Sequence, residues 1–136
     1  MEVTATENIS LLDAGRIDSS TLSSGDAGSV RISTGSLTLA GQRTRISSGA
    51  YGTAGNGGSV EVVATEQVSL FGAGRIDSST SSSGDAGSVK VNAGSLIIDG
   101  QGSTAGIGSA AYGSTGKGGS VDVAVTGNIS ILNGGY

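Results

Sequence analysis

The chain has 136 residues with 26 glycines, no proline, no tryptophan, no cysteine and no histidine, and a formal net charge of −4. Without cysteine or histidine there is no disulfide framework, no thiolate or imidazole metal site, and no residue of the type that most often serves as general base. The mild acidity argues against a nucleic-acid surface, and no apolar run approaches the roughly 18 residues of a membrane-spanning helix, so no membrane insertion is expected.

The chain repeats itself. Seventeen residues from Ala14, AGRIDSSTLSSGDAGSV, return from Ala73 with a single change, Leu22 to Ser81. The string Gly-Ser-Val ends at Val30, Val60, Val89 and Val121, at intervals of 30, 29 and 32 residues. These marks divide 1–136 into coils 1–29, 30–59, 60–88, 89–120 and a half coil 121–136, all in a single repeat segment. A period of this size signals stacked structural repeats.

In chain order, each coil opens on an apolar pair two residues apart: Met1 and Val3, Val30 and Ile32, Val60 and Val62, Val89 and Val91, Val121 and Val123. A second pair follows: Ile9 and Leu11, Leu37 and Leu39, Val68 and Leu70, Leu96 and Ile98, Ile129 and Ile131. A third position holds Ile17, Ile46, Ile76 and Ile107, with Ser19, Ser48, Ser78 and Ser109 two residues on. Spacing of two is the strand period, and Gly, Asn, Asp and Ser fill the gaps as turns require. The pattern predicts an all-β, parallel β-helix (β-solenoid) of about 4.5 coils of 29–32 residues, with three short strands per coil.

Between the first two apolar columns stand Glu2, Arg31, Glu61, Lys90 and Asp122. The sign alternates at every coil. Equivalent strands lying side by side, about 4.8 Å apart, would set opposite charges against each other at each step. A sandwich gives no reason for the sign to follow coil number, so this column is read as a structural charge ladder that fixes register.

The true period is two coils. The first, third and fifth coils carry SLLDAG, SLFGAG and SILNGG, whereas the second and fourth carry GSLTLAGQ and GSLIIDGQ, then AYGTAGNGG and AYGSTGKGG. The run GSVRISTGSLTLAGQ followed by RISSGAYGTAGNGGSV resembles the repeat region of filamentous haemagglutinin-like exoproteins of two-partner secretion systems, and the likeness covers essentially the whole chain. The resemblance implies a right-handed parallel β-helix forming the shaft of a large secreted or cell-surface adhesin-like protein. It implies an extracellular or bacterial cell-surface location, and partners that are neighbouring coils or a cell-surface glycan or receptor. With Met1 in a valine column and Tyr136 in mid-coil, the chain reads as an excised segment.

No catalytic, cofactor-binding or metal residue is expected. The GDAGS turns suggest calcium, but their column reads Asp26, Asn56, Asp85, Lys117, and the lysine is incompatible with a metal ladder, which leaves turn formation. The carboxylates of the two RID segments would stand about 9.6 Å apart, near the upper end for an inverting glycosidase pair. Without a supporting acid or histidine, Arg16, Asp18, Arg45, Arg75 and Asp77 read instead as a surface charge network, with Arg45 between Asp18 and Asp77. The column from Ser19 to Ser109 should point inward near a corner and bond turn backbone. The Ser/Thr runs SSTLSS and SSTSSS should point outward. Leu12, Phe71 and Leu132 read as corner residues folded inward, with a lateral docking stripe as the alternative. Tyr51, Tyr112 and Phe71 are the candidates for a glycan or lateral contact. Three functions compete: a structural shaft without catalysis, a repeat subunit of a self-assembling extracellular fibre, and a carbohydrate-binding or carbohydrate-active β-helix.

Overall fold

The computed structural model describes residues 1–113 and 115–136. The strands are β1 (Glu2–Thr4), β2 (Asn8–Leu12), β3 (Arg16–Asp18), β4 (Val30–Gly41), β5 (Arg45–Ser47), β6 (Val60–Gly72), β7 (Arg75–Asp77), β8 (Val89–Asp99), β9 (Gly106–Gly108), β10 (Val121–Val125) and β11 (Ile129–Leu132). Every pairing between them is parallel and joins one coil to the next. A seven-stranded sheet runs β1-β4-β6-β8-β10, with β2 beside β4 and β11 beside β8, and a four-stranded sheet runs β3-β5-β7-β9. A third side is carried by single bridges through Thr21, Ala50, Thr80 and Ala111. The molecule is a β-solenoid of about four turns.

The expected three strands per coil need correction. In the second, third and fourth coils the first two strands run on as one, over 12, 13 and 11 residues. The ladder bends at this corner without breaking: its register shifts between Thr34 and Ser36, and again between Ala64 and Gln67. The bend keeps its backbone satisfied. Ser36 N–H donates to the Glu7 carbonyl at 2.8 Å, and the buried Thr34 hydroxyl bonds the Glu7 and Ser36 carbonyls.

The apolar columns fill the interior. Ile32, Leu37, Leu39, Ile46, Val62, Val68, Leu70 and Ile76 are fully buried, each above its counterpart in the next coil. Three of the four inward serines, Ser48, Ser78 and Ser109, bond turn backbone as expected. Ser48 donates to the Gly28 carbonyl, Ser78 to those of Ser48 and Gly58, and Ser109 to those of Ser78 and Gly87 at 2.8 and 2.6 Å. Gly28, Gly58, Gly87 and Gly119 of the Gly-Ser-Val corners stack in line, and a Cβ on any of the last three would run into the glycine carbonyl one coil away. That contact explains why the corner repeats glycine.

Two outward-versus-inward expectations were reversed. Leu12 and Leu132 are 58% and 50% exposed, and Phe71 is half-buried, so this column lies on the outer face. It sits one residue past Leu11, Leu70 and Ile131, which take the inward side, and strand alternation turns it out. Conversely Thr80 and Ser82 are buried. The Thr80 hydroxyl donates to the Ala50 carbonyl at 2.8 Å and meets Ser82 at 2.7 Å, while Ser82 donates to the Gly55 carbonyl, so the loop packs onto its neighbour through polar groups.

The charge ladder has the expected register: Glu2 beside Arg31, Arg31 beside Glu61, Glu61 beside Lys90, and Lys90 beside Asp122. Arg31 and Glu61 close to 2.6 Å, with the arginine side chain largely exposed. Such a pair contributes only a few tenths of a kcal/mol, about 0.2–1, and is screened by salt. Arg31→Glu sets three carboxylates in a row with Glu2 and Glu61. The melting temperature should fall at low salt and recover in part at high salt; an equal melting temperature for variant and parent at both salts would contradict the stacking energetics.

Candidate functional site

The sheet β3-β5-β7-β9 turns Ile17, Ile46, Ile76 and Ile107 inward, so the residues on either side of each isoleucine form two outer columns. One column reads Arg16, Arg45, Arg75, Gly106; the other reads Asp18, Ser47, Asp77, Gly108. Register therefore places Arg45 between two arginines, not between Asp18 and Asp77.

The expected five-residue network is correspondingly smaller. Arg45 reaches Asp18 at 3.1 Å and Arg16 reaches it at 3.5 Å. Among the described residues, Asp77 and Arg75 form no ion pair with this group. Arg75 instead lies 5.4 Å from the centre of the Tyr136 ring, close enough for a cation–π contact. Ser47, between the two carboxylates, is fully buried although it faces outward, and its hydroxyl has no hydrogen-bond partner.

The Tyr51 ring folds back over Gly49, where an added Cβ would stand 2.7 Å from Cζ and the hydroxyl. Tyr112 occupies the same place in the other AYG loop but is 71% exposed. There Ala110 replaces Gly49, and Gly106 and Gly108 replace Arg45 and Ser47. A methyl group stands where the Tyr51 ring would lie, and no arginine column flanks it. The two tyrosines read as equivalents in sequence; SGAY against SAAY was the signal that separates them.

Burial and neighbours drive the two carboxylates apart. Burial pushes the Asp18 carboxyl upward, but hydrogen bonds from Ser20 and Arg45 outweigh it, and its pKa falls below the ordinary value. The Ser20 N–H bond is 2.9 Å. Burial pushes the Asp77 carboxyl upward, and the charges of Arg45 and Arg75 offset this only in part. The Tyr51 hydroxyl is raised by burial and then by the Asp77 charge. Opposed pKa values are the mark of acid–base pairs; here the buried Ser47 stands between the two carboxylates in register. A cleft of about 390 Å³ opens on the Asp18 side, lined by Arg16, Asp18, Ser20, Leu22, Arg45 and Tyr51.

The Asp26 column performs turn chemistry. Asp26 accepts from Asn56 N–H at 2.7 Å, Asn56 from Asp85 N–H at 2.9 Å, and Asp85 from Lys117 N–H at 2.8 Å, so each side chain secures the turn one coil on. Among the described residues no group of three or more His, Cys, Asp or Glu side chains is placed to hold a metal ion, and no helix is long and apolar enough to cross a membrane.

No family model matches the chain, and no curated protein or solved structure matches it.

The carboxylates predict opposite pH effects. For Asp77, whose folded pKa is raised, the folded state retains a proton that the unfolded chain releases above about 3.9, so stability falls as pH rises through that window. Asp77→Asn should raise the melting temperature at pH 7, with the gain gone at pH 3. For Asp18 the folded pKa is lowered, so its contribution is present above the unfolded value and is lost as pH falls. Asp18→Asn should lower the melting temperature at pH 7, and the deficit should shrink in acid. Thermal melts of both variants from pH 3 to 7 test the assignment; shifts of the same sign would contradict it.

Proposed function

We propose that the chain is a structural shaft segment of a larger secreted or cell-surface adhesin-like protein of the filamentous haemagglutinin-like type, with no catalysis of its own. One observation carries the reading. Within the strands equivalent residues stand opposite one another from coil to coil, from Glu2 to Asp122 in one sheet and from Arg16 to Gly106 in the other, apart from the shifts at the Thr34–Ser36 and Ala64–Gln67 corners. A scaffold for chemistry interrupts its coils with loops that gather functional groups; this column spends its sequence on keeping identical neighbours in line. The wide spacing of Asp18 and Asp77, with the buried Ser47 between them in register, supports the same reading against a hydrolytic pair.

A spacer of this kind should lengthen in steps. A second copy of residues 30–88 inserted after Ser88 preserves the charge alternation and adds two strand spacings, about 9.6 Å. Small-angle X-ray scattering should show the longest dimension growing by about that amount, with the melting temperature maintained. A thicker or unfolded particle would contradict a modular rod.

The fibre reading can be tested on the chain by itself, in which β1 and β10 are the terminal strands of the larger sheet and Val121, Ile129 and Ile131 leave 44%, 54% and 52% of their surfaces exposed. Glu2 and Asp122 carry like charge at the two edges, so end-to-end contact is opposed electrostatically. Sedimentation across a concentration series should then show association that strengthens with salt or with Asp122→Lys; a strict monomer under all these conditions would remove the fibre reading.

A further inference from the structure

We propose that the outer face of this solenoid carries a binding cleft for a compact tetrahedral oxyanion, the chemistry shared by free phosphate and phosphate monoesters. The cleft follows from turn lengths. From Leu39 to Ile46 the second coil advances 7 residues, from Leu70 to Ile76 the third advances 6, and from Ile98 to Ile107 the fourth advances 9. The third coil's turn is the shortest of the three, and the longer turns on either side overhang it. Their overhang is bridged by Gln42, whose Nε2 donates to the Ser103 hydroxyl at 3.2 Å, across two coils. Ala73 of the short turn and Thr104 of the long one line the resulting cleft of about 330 Å³.

Four of the chain's seven cationic side chains converge there: Arg16, Arg43, Arg45 and Arg75. No carboxylate lines the cleft, although the chain as a whole is acidic. Three of the four arginines are stacked in strict register, one per coil, about 4.8 Å apart. Like charges so placed repel, whereas the column from Glu2 to Asp122 alternates in sign. Asp18 relieves Arg16 and Arg45 from the far side but does not reach Arg75. An anion in the cleft would answer the repulsion.

One further observation points the same way. Arg43 holds a left-handed backbone at φ +59°, whereas the matching position of the fourth coil's turn, after Gln101, is Gly102 at φ +83°. A glycine would adopt that conformation without strain; the chain places a guanidinium there instead. Guanidinium forks suit phosphate oxygens geometrically as well as electrostatically.

The test is isothermal titration of the intact chain with sodium phosphate and with glucose 6-phosphate, each against sodium chloride at matched ionic strength. Saturable binding of at least one phosphate species is expected. Arg43→Asn tolerates the left-handed turn and removes one charge, and should weaken binding about tenfold, the scale of one charge-assisted hydrogen bond. Arg31→Gln, on the other sheet, should leave binding unchanged and so separates a site from a general charge effect. Tighter binding of glucose 6-phosphate would assign the cleft to monoesters, and tighter binding of inorganic phosphate to the free ion; either supports the site. A response to phosphate no greater than to chloride, or equal affinity in the Arg43→Asn protein, would overturn it.

Discussion

Along the strands of this molecule, side chains have their own counterparts for neighbours. Parallel strands paired in register set equivalent residues about 4.8 Å apart, and that single constraint decides what each column of the sequence can hold. An apolar column gains because valine rests on valine and leucine on leucine, with no water between. A column of one charge loses by the same geometry. A glycine column arises where backbone approaches backbone, as at Gly28, Gly58 and Gly87, each carbonyl standing where the next coil's Cβ would be. The serines at Ser48, Ser78 and Ser109 then hold those carbonyls from inside. The repeated Gly-Ser-Val and the inward serine are two halves of one corner: the glycine permits the approach, and the hydroxyl satisfies the carbonyl that the approach buries.

The same constraint made much of the fold legible. Columns of apolar residues at fixed intervals admit few arrangements other than stacked coils, and alternation from Glu2 to Asp122 gave the register residue by residue. Less legible was anything set by the join between columns. Whether Thr34–Gly35 ends a strand or bends one depends on where its N–H and C=O groups go, and a Ser/Thr/Gly run is compatible with both. Side-chain direction near the corners failed for a related reason. Leu12 looked inward by hydropathy, yet alternation after Leu11 turns it out; Thr80 and Ser82 looked outward by polarity, yet the carbonyls of Ala50 and Gly55 offer them partners inside. In a narrow solenoid, polar corners are buried as readily as apolar faces, provided the next coil supplies an acceptor.

The candidate site was half legible. The residues of both RID segments stood out in the sequence, but their pairing did not. The turns differ in length between coils, and a network drawn by proximity in sequence put Arg45 between two aspartates. Register put it between two arginines, because Ile17, Ile46 and Ile76 align and carry their neighbours with them. Arg43 escaped notice because nothing in its surroundings is unusual until Gly102 is set beside it. The signal was arithmetic: unequal distances between successive core residues mean unequal turns, and unequal turns on adjacent coils leave a recess.

The two sheets thus use charge in opposite senses. Along the first column of the larger sheet the sign alternates, so each charge faces an opposite one on the next coil. Across the smaller sheet three arginines repeat one sign, Asp18 compensates from one flank, and a fourth arginine joins from a turn. Either pattern fits the pleat sterically, but repetition of one sign carries the repulsion with it. A chain that stacks like on like for its core, and avoids doing so for charge on one face, keeps the repulsion on the other face where a recess lies beside it. The recess needs two coil types in alternation, a long turn on each side of a short one. The two-coil period, which a plain rod does not require, is what creates it.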